Sequence, residues 1–427
     1  MNALLYSDRI SIGKGMNLNL IKSNKFKSNL ISIYLIMPLN RKEATMNALI
    51  PLVLKRGTSK LKTKLDIERK LEELYGSNLN ININKRGERH VLRFTIESPK
   101  GGFVSDKDYF LEVVKFLKEL IYNPHLEDGS FSHKYVEQEK EILKRAIEGK
   151  INDKRLYAVD RCIEEMCKNE KYSVYEYGYI EDLKSIDEFS LYDRYKTILD
   201  TSPIEIFYVG EYEDRFIGEL KDIFAVDRKT ILDIQREKIA SDIQTKNMVF
   251  EEMDVNQGKM VIGYRSSVAH EDPLYNSVLI SNHILGGGPN GKLFRTIREK
   301  ESLAYYINSK VYKYKSIMII DAGIDSINFE KTIELIRKEI DDMKNGDFSD
   351  EDIEISKKGL INPMKSIVDS NYLIGEFFLS KVLSNDNKSL EEDIEELLKV
   401  NKEDIVNASN SLSLDTIYFL RNKKLEG

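Results

Sequence analysis

The chain has 427 residues, 41% hydrophobic and 32% charged, with a formal net charge of -6. Its length suits two domains of about 200 residues each, and its balance excludes disordered and collagen-like classes. Lys and Arg are interspersed among Asp and Glu, so neither nucleic acid nor an anionic membrane is an expected partner. Asp8 and Arg9 interrupt any signal-peptide core, and no stretch reaches the ~20 apolar residues of a membrane span, which makes a cytoplasmic protein the expectation. Cys162 and Cys167 match no common zinc-binding spacing and read as free thiols in a reducing compartment.

In chain order, Leu30 to Pro38 is β-branched, aromatic and leucine-rich over strand length, and a helix from about Lys42 to Lys55 follows. Leu65, Ile67, Leu71, Leu74 and Tyr75 recur at helical spacing, with Thr63 or Asp66 at the start and Gly76 closing the helix in a left-handed conformation. Lys60, Lys62 and Lys64 then form a solvated face where that helix begins. Alternation in Leu79, Ile81, Ile83 and in Leu92, Phe94, Ile96 around Gly87 predicts a β-hairpin with one buried face. An amphipathic helix from about Asp108 to Tyr122, a long helical region from about His133 to Lys168 and a strand at Ile204 to Val209 complete this half.

The second half repeats the order: strand Met260 to Arg265, helix Pro273 to Leu285, a glycine loop, helix Leu293 to Ser302, and strands Leu303 to Val311 and Ile317 to Asp325. A helix from Phe329 to Met343 and a last strand at Ile417 to Leu420 follow. The offset of roughly 215 to 230 residues is one domain length, so the period marks an internal duplication rather than a solenoid. The fold class is α+β, two homologous domains with antiparallel-rich mixed sheets packed against helices. The first spans 1–226, a charge-rich linker 227–247, and the second 248–427.

The most specific segment is Gly286 to Tyr305, where Leu293-Phe294, Arg298-Glu299-Lys300 and Leu303-Ala304-Tyr305 follow the glycines. Together with Asn24 to Ser28, the helix ending Lys55-Arg56-Gly57-Thr58 and the duplicated unit, it resembles the pitrilysin/insulinase superfamily of inverted-zinc-motif peptidases. The resemblance covers essentially the whole chain and is closest to the processing-peptidase type, whose members have two such domains per chain and act as dimers.

Active members of that superfamily carry His-x-x-Glu-His shortly before the Lys/Arg-Gly-Thr ending, so that two imidazoles one helical turn apart hold zinc while the Glu serves as general base. Aligned on Arg56-Gly57-Thr58, Ala48 and Leu52 occupy the His positions and Pro51 the Glu position. The distal ligand would stand seven residues after Glu139, at Ala146, or at Glu148 if the helix slips by a turn. No metal is expected on this chain. Of the five histidines only His133, with Glu137, forms a local pair of ligand types, and a surface hydrogen bond or ion pair accounts for it.

The resemblance implies two functional residues in the second domain, Arg298 to hold substrate backbone and Tyr305 to stabilise an oxyanion in a partner's zinc site. Their plainer reading is a helix-surface arginine and a tyrosine at the edge of the core. Gly286, Gly287 and Gly288 also have two readings, a flexible loop admitting an extended peptide or a helix cap at Gly286 followed by a turn; the Gly-x-x-x-x-Gly-Lys-Ser/Thr phosphate pattern is not met. The expected function is a non-catalytic, substrate-contacting subunit of a heterodimeric zinc metallopeptidase acting on unfolded peptides, with zinc on a homologous partner subunit. The alternative is a structural or peptide-binding homologue with no part in catalysis.

Overall fold

The structure, a computed structural model, describes residues 5–101, 109–228, 230–240 and 246–423. The first strands are β1 (Asp8–Gly13), β2 (Met16–Lys22) and β3 (Ser28–Pro38), followed by helices α1 (Ala44–Leu54) and α2 (Lys64–Glu73). The hairpin β4 (Asn78–Arg86) and β5 (Arg89–Pro99) leads to α3 (Tyr109–Tyr122), a two-residue ribbon β6 (Leu126–Glu127) and β7 (Ser130–Phe131), α4 (His133–Gly149) and α5 (Lys154–Met166). Next come α6 (Glu188–Thr201), β8 (Ile204–Gly210), α7 (Asp214–Phe224), β9 (Asn247–Met253), β10 (Gly258–Ser266) and α8 (Tyr275–Asn282). The remainder is β11 (Ala304–Tyr312), β12 (Ile317–Ile324), α9 (Phe329–Asn345), α10 (Asp350–Lys365), α11 (Asn371–Ser384), α12 (Leu390–Lys399), α13 (Lys402–Asn410) and β13 (Leu412–Asn422).

The chain forms two units, and each includes a helix from the opposite half of the sequence. Unit 1 comprises Met1–Glu148, Val174–Arg236 and Ile367–Leu383; unit 2 comprises Gly149–Ser173, Glu237–Ser366 and Ser384–Gly427.

Unit 1 is built on the sheet β1-β2-β8-β3-β5-β4, in which β2 and β8 are parallel and every other neighbouring pair is antiparallel. Side chains alternate across a strand, so β3 sends Ile31, Ile33, Leu35 and Met37 to one face and Leu30, Tyr34 and Ile36 to the other. Helices α1, α3 and α6 cover the first face through residues such as Leu49, Leu117 and Leu191. The second is covered by α11, where Ile374 and Leu379 pack against Leu30, Tyr34, Phe207 and Val209. A polar clamp fixes that helix: Glu376 accepts from Tyr34 Oη at 3.0 Å and Arg93 Nη1 at 3.1 Å and also pairs with Arg86, while Arg93 Nε donates to Asn82 at 3.1 Å.

Unit 2 repeats the plan. Its sheet, β11-β12-β10-β13-β9, has the order and directions of β4-β5-β3-β8-β2, with the parallel pair, β13 and β9, in the equivalent place. Met260, Ile262, Ile320 and Phe419 enter the core formed with α9 and α13, while Val261, Ile319, Tyr418 and Leu420 face α5 through Ala158, Cys162 and Met166. Glu251 accepts from Tyr157 at 2.6 Å and Tyr418 at 2.8 Å, and Arg265 bridges Glu170 and Asp415, each at 2.6 Å.

The α+β duplication inferred from the sequence is therefore present in strand order and direction. The hairpin around Gly87 forms with φ +62° there, Thr63 and Asp66 both serve in a capping box, and Gly76 closes α2 at φ +70°. Three details differ. Leu65 and Tyr75 are exposed, because the face that meets the core carries Ile67, Leu71 and Leu74. The long helical region breaks into α4 and α5 where Asp153 leaves helical geometry and accepts from the N–H groups of Arg155 and Leu156. Strands β1, β2 and β9 carry no early signal, since β1 and β9 lie at sheet edges with few buried residues and Asn17 and Asn19 break the apolar run of β2. Asp108, and residues 229 and 241–245 of the linker, lie outside the described residues; within the described part, Ile231 packs against Gly15, and Arg228 donates to the Leu199 carbonyl at 2.9 Å. Both cysteines are buried and free.

Glu376→Gln removes the charge that balances Arg93, whose side chain is 8% exposed, and should cost about 3 kcal/mol in urea unfolding of the intact chain. Arg86→Ala, at the more exposed end of the same clamp, should cost under about 1 kcal/mol.

Candidate functional site

Helix α1 occupies the place where the zinc motif would lie. Ala48 and Pro51 are buried, Leu52 is half-buried, and none offers a donor atom. Pro51, inside the helix, has no N–H to give the Asn47 carbonyl. Asn47 instead anchors a polar chain: its side-chain oxygen accepts from Arg194 Nε at 2.8 Å, and its Nδ2 lies 3.2 Å from His90 Nδ1. His90 Nε2 lies 2.9 Å from the Glu176 carbonyl, which fixes the ring as a neutral Nε2–H tautomer accepting from Asn47. Burial is the main cause that pushes the His90 pKa from 6.5 down to about 3.

The distal positions fit a metal no better. Glu139 is buried and paired with Arg56, whereas Ala146 and Glu148 are exposed on α4. His133 pairs with Glu188 at 2.9 Å and Glu137 with Lys140 at 2.6 Å, so the expected local His133–Glu137 pair is not the one made. The hydrogen bond to Glu188 raises the His133 pKa. Among the described residues no three His, Cys, Asp or Glu side chains converge as a metal site.

In unit 2 the glycine segment follows a helical turn of the wide, i+5 type, residues His283–Gly287, closed by Gly288 N–H donating to the His283 carbonyl at 3.0 Å. Gly286 is buried and Gly287 exposed, and Gly288 is half-buried. None has a left-handed φ, and the expected helix cap at Gly286 falls instead at Gly288, because the wide turn carries the helix on through Gly287. Close packing accounts for these glycines: a Cβ on Gly291 would lie 2.7 Å from Gly286 Cα, and one on Gly288 would lie 2.5 Å from the His283 ring. A cleft of about 490 Å³ borders the loop, lined by His283, Gly288, Asn290, Arg295, Glu299 and Asp352 among others. His283 Nδ1 lies 2.9 Å from Ser356 Oγ, and burial lowers its pKa.

The expected helix Leu293 to Ser302 is a second wide turn, Phe294–Lys300, in which Glu301 N–H donates to Thr296 O at 3.0 Å. Thr296 Oγ1 donates to Glu339 at 2.6 Å and anchors this turn to α9. Leu303 N–H donates to Ile297 O at 2.9 Å, closing a short loop with Ser302 at φ +53°. Arg298 and Tyr305 flank that closure. Arg298 is exposed, with its guanidinium 4.9 Å from the Phe294 ring centre. Tyr305 is the extra residue of a bulge on the edge strand, since Ala304 pairs with Ile324 and Tyr306 with Gly323; its side chain is 61% exposed. Neither the wide turns nor the bulge has a sequence signal beyond the crowded glycines. The cleft residues Arg295 and Asp352, 3.1 Å apart, read as ordinary helix-surface charges until the fold brings them together.

The probable inactive metalloprotease YmfF of Bacillus subtilis (strain 168) is 34% identical over 408 residues, which span 95% of this chain and 96% of that protein. The chain belongs to the M16 peptidase family. A family model described as the peptidase M16 inactive domain matches residues 189–360 of this M16 chain. Two solved structures share its fold: a conserved protein from Enterococcus faecalis V583, at TM-score 0.91 and 24% identity over 99% of this chain and 100% of that one, and a peptidase M16 inactive domain from Pseudomonas fluorescens, at TM-score 0.80 and 14% identity over 98% and 99%. Among the described residues no helix of this M16 chain is long and apolar enough to cross a membrane.

His90 ties stability to pH. Its folded pKa lies below the unfolded one, so the unfolded chain binds the proton first as pH falls and stability is lost from about 6.5 down to about 3. This group alone should remove about 3 kcal/mol between pH 7 and pH 4. His90→Gln should be less stable at pH 7 but show a visibly flatter decline in denaturant midpoint over that range.

Proposed function

We propose that this chain is a non-catalytic, substrate-contacting subunit of a cytoplasmic, heterodimeric zinc metallopeptidase that acts on unfolded peptides, with zinc held by a homologous partner. One observation carries the reading: every zinc-motif position lacks a donor, while Arg298 and Tyr305 stand exposed on a segment closed by its own hydrogen bonds. The words "inactive" in the descriptions of the matching family model and of the Bacillus subtilis relative support the first half of it.

In this reading Tyr305 Oη donates to the oxyanion of the tetrahedral intermediate formed in the partner's site, and Arg298 holds a substrate carbonyl. Both are donors suited to that task. Tyr305 stands at a bulge of the edge strand with its side chain exposed, which leaves the hydroxyl accessible. Of the three glycines, Gly287 and the half-buried Gly288 are open to solvent, and Gly288 lines the cleft, where peptide backbone approaches without side-chain obstruction; Gly286 is buried and supports the loop from beneath.

The purified chain should hold no stoichiometric zinc after dialysis, by elemental analysis, and cleave no peptide. Mixed with a partner bearing His-x-x-Glu-His, it should give a 1:1 complex with chelator-sensitive activity exceeding that of the partner alone. In that complex Tyr305→Phe should lower kcat by about 100-fold with little change in KM, and Arg298→Ala should act mainly on KM. Full kcat in Tyr305→Phe would make the chain a scaffold without a catalytic part.

A further inference from the structure

In unit 1 the sheet continues beyond β2 to an antiparallel neighbour, β1, whereas β9, the counterpart of β2 in unit 2, stands at the edge of its sheet. Among the described residues no strand pairs with its outer side. The linker residues 230–240 that precede it form no strand, and Lys423, after β13, reaches only the end of β9, donating its N–H to the Met253 carbonyl at 3.2 Å.

An open strand edge offers unpaired N–H and C=O groups to another chain, and proteins guard such edges with bulges, charges or poor strand formers. The other three edges are guarded in this way. Strands β1 and β11 are each interrupted by a register shift, between Ser11 and Gly13 and between Ala304 and Tyr306, and β4 carries Asn78, Asn80, Asn82 and Asn84 before Lys85 and Arg86. Strand β9 has none of these devices. It pairs with β13 in one unbroken register, contains no Gly, Pro, Lys or Arg, and exposes Met248 and Phe250, at 48% and 44%, near its middle. Its two carboxylates lie toward its C-terminal end: Glu251 accepts from Tyr157 and Tyr418, and Glu252 pairs with Arg421 at 2.7 Å.

The sequence of this edge is complementary to itself. Two copies of β9 placed antiparallel about a two-fold axis at Val249 set Met248 opposite Phe250 and the exposed Lys246 opposite Glu252, each pair occurring on both sides of the axis. A thioether against an aromatic ring and opposite charges are both favourable cross-strand neighbours. An axis at Phe250 would set Met248 against Glu252 instead, so side-chain chemistry selects one register. A peptide of unrelated sequence would gain the backbone hydrogen bonds but not these pairs.

We propose that β9 is the interface of a homodimer, in which two copies of this chain join their unit 2 sheets across a two-fold axis at Val249. Sheet order keeps β11, with Tyr305, at the opposite edge, so this contact is separate from the peptidase reading and does not depend on it.

Sedimentation equilibrium of the full-length chain should show monomer and dimer with a Kd on the order of 10 µM, the strength of a small interface. Met248→Lys, at an exposed position, should weaken it about thirtyfold while leaving the urea midpoint of the dilute monomer unchanged. Lys246→Glu and Glu252→Lys should each weaken self-association about tenfold, because each sets like charges opposite one another. Mixed in equal amounts, these two variants form a heterodimer in which every such pair is again complementary, and the Kd should return to within about threefold of the parent. That rescue depends on Lys246 facing Glu252 across the axis. A chain that stays monomeric up to about 0.5 mM, a dimer that Met248→Lys leaves intact, or a mixture no tighter than either variant alone overturns the proposal.

Discussion

Each sheet of this protein is apolar on both faces, and that constraint organises the rest. Strand β8 is buried along all seven residues, and β3 along all but its two ends. A strand buried on both sides needs a layer of helices above and below it. Helices interleaved with the strands in the same half of the sequence cover one face. The other face is covered by a helix from the opposite half of the sequence, α11 in unit 1 and α5 in unit 2. Leu30, Tyr34 and Ile36, left bare, would expose a contiguous apolar patch of the kind soluble proteins avoid. One copy of the duplicated unit is thus incomplete, and the exchange gives a physical reason for keeping two copies in one chain.

The exchanged helices are held by charge as well as by apolar packing. Glu376 gathers Tyr34, Arg86 and Arg93 across the face of β3, β4 and β5, and Glu251 gathers Tyr157, Tyr418 and Arg161 across that of β9 and β13. Apolar contact tolerates sliding, whereas a carboxylate shared among several donors specifies one register. The two clamps use the same chemistry at different positions. In unit 1 the carboxylate is on the helix and the arginines are on the sheet; in unit 2 the carboxylate is on the sheet.

Much of this was legible in the sequence where pattern and period are local. The continuous apolar run of β3, the alternation of β4 and β5 about Gly87, and the capped α2 each declare themselves within a dozen residues. The partner of an amphipathic helix does not. The apolar face of α5 announces that it is covered but not by which sheet, and α11, apolar on most sides, does not even declare which face is covered. At the site, the absence of His and Glu from positions 48, 51 and 52 was readable directly. The wide turns that carry Gly286 and Arg298 coincide with the packing of Gly291 on Gly286 and of Thr296 on Glu339, and the bulge at Tyr305 is a register shift between β11 and β12; none of these has a local period.

The loss of metal chemistry in α1 has also been built into the core. Had only the histidines been replaced, the helix would keep its regular ladder and the polar space around it. Here Pro51 removes the N–H that would bond the Asn47 carbonyl, as well as the carboxylate a general base needs. Asn47, one turn earlier, joins Arg194 to a buried, neutral His90, and Glu139 on α4 is committed to Arg56. Restoring a zinc site requires new donors at Ala48, Leu52 and Ala146 and a carboxylate in place of Pro51. It also requires that charged or metal-bound groups fit beside a hydrogen-bonded chain that favours a neutral imidazole. No single substitution moves the chain appreciably toward that state, so the polar interior beside α1 now serves the stability of unit 1, and the exposed donors Arg298 and Tyr305 lie in the other unit.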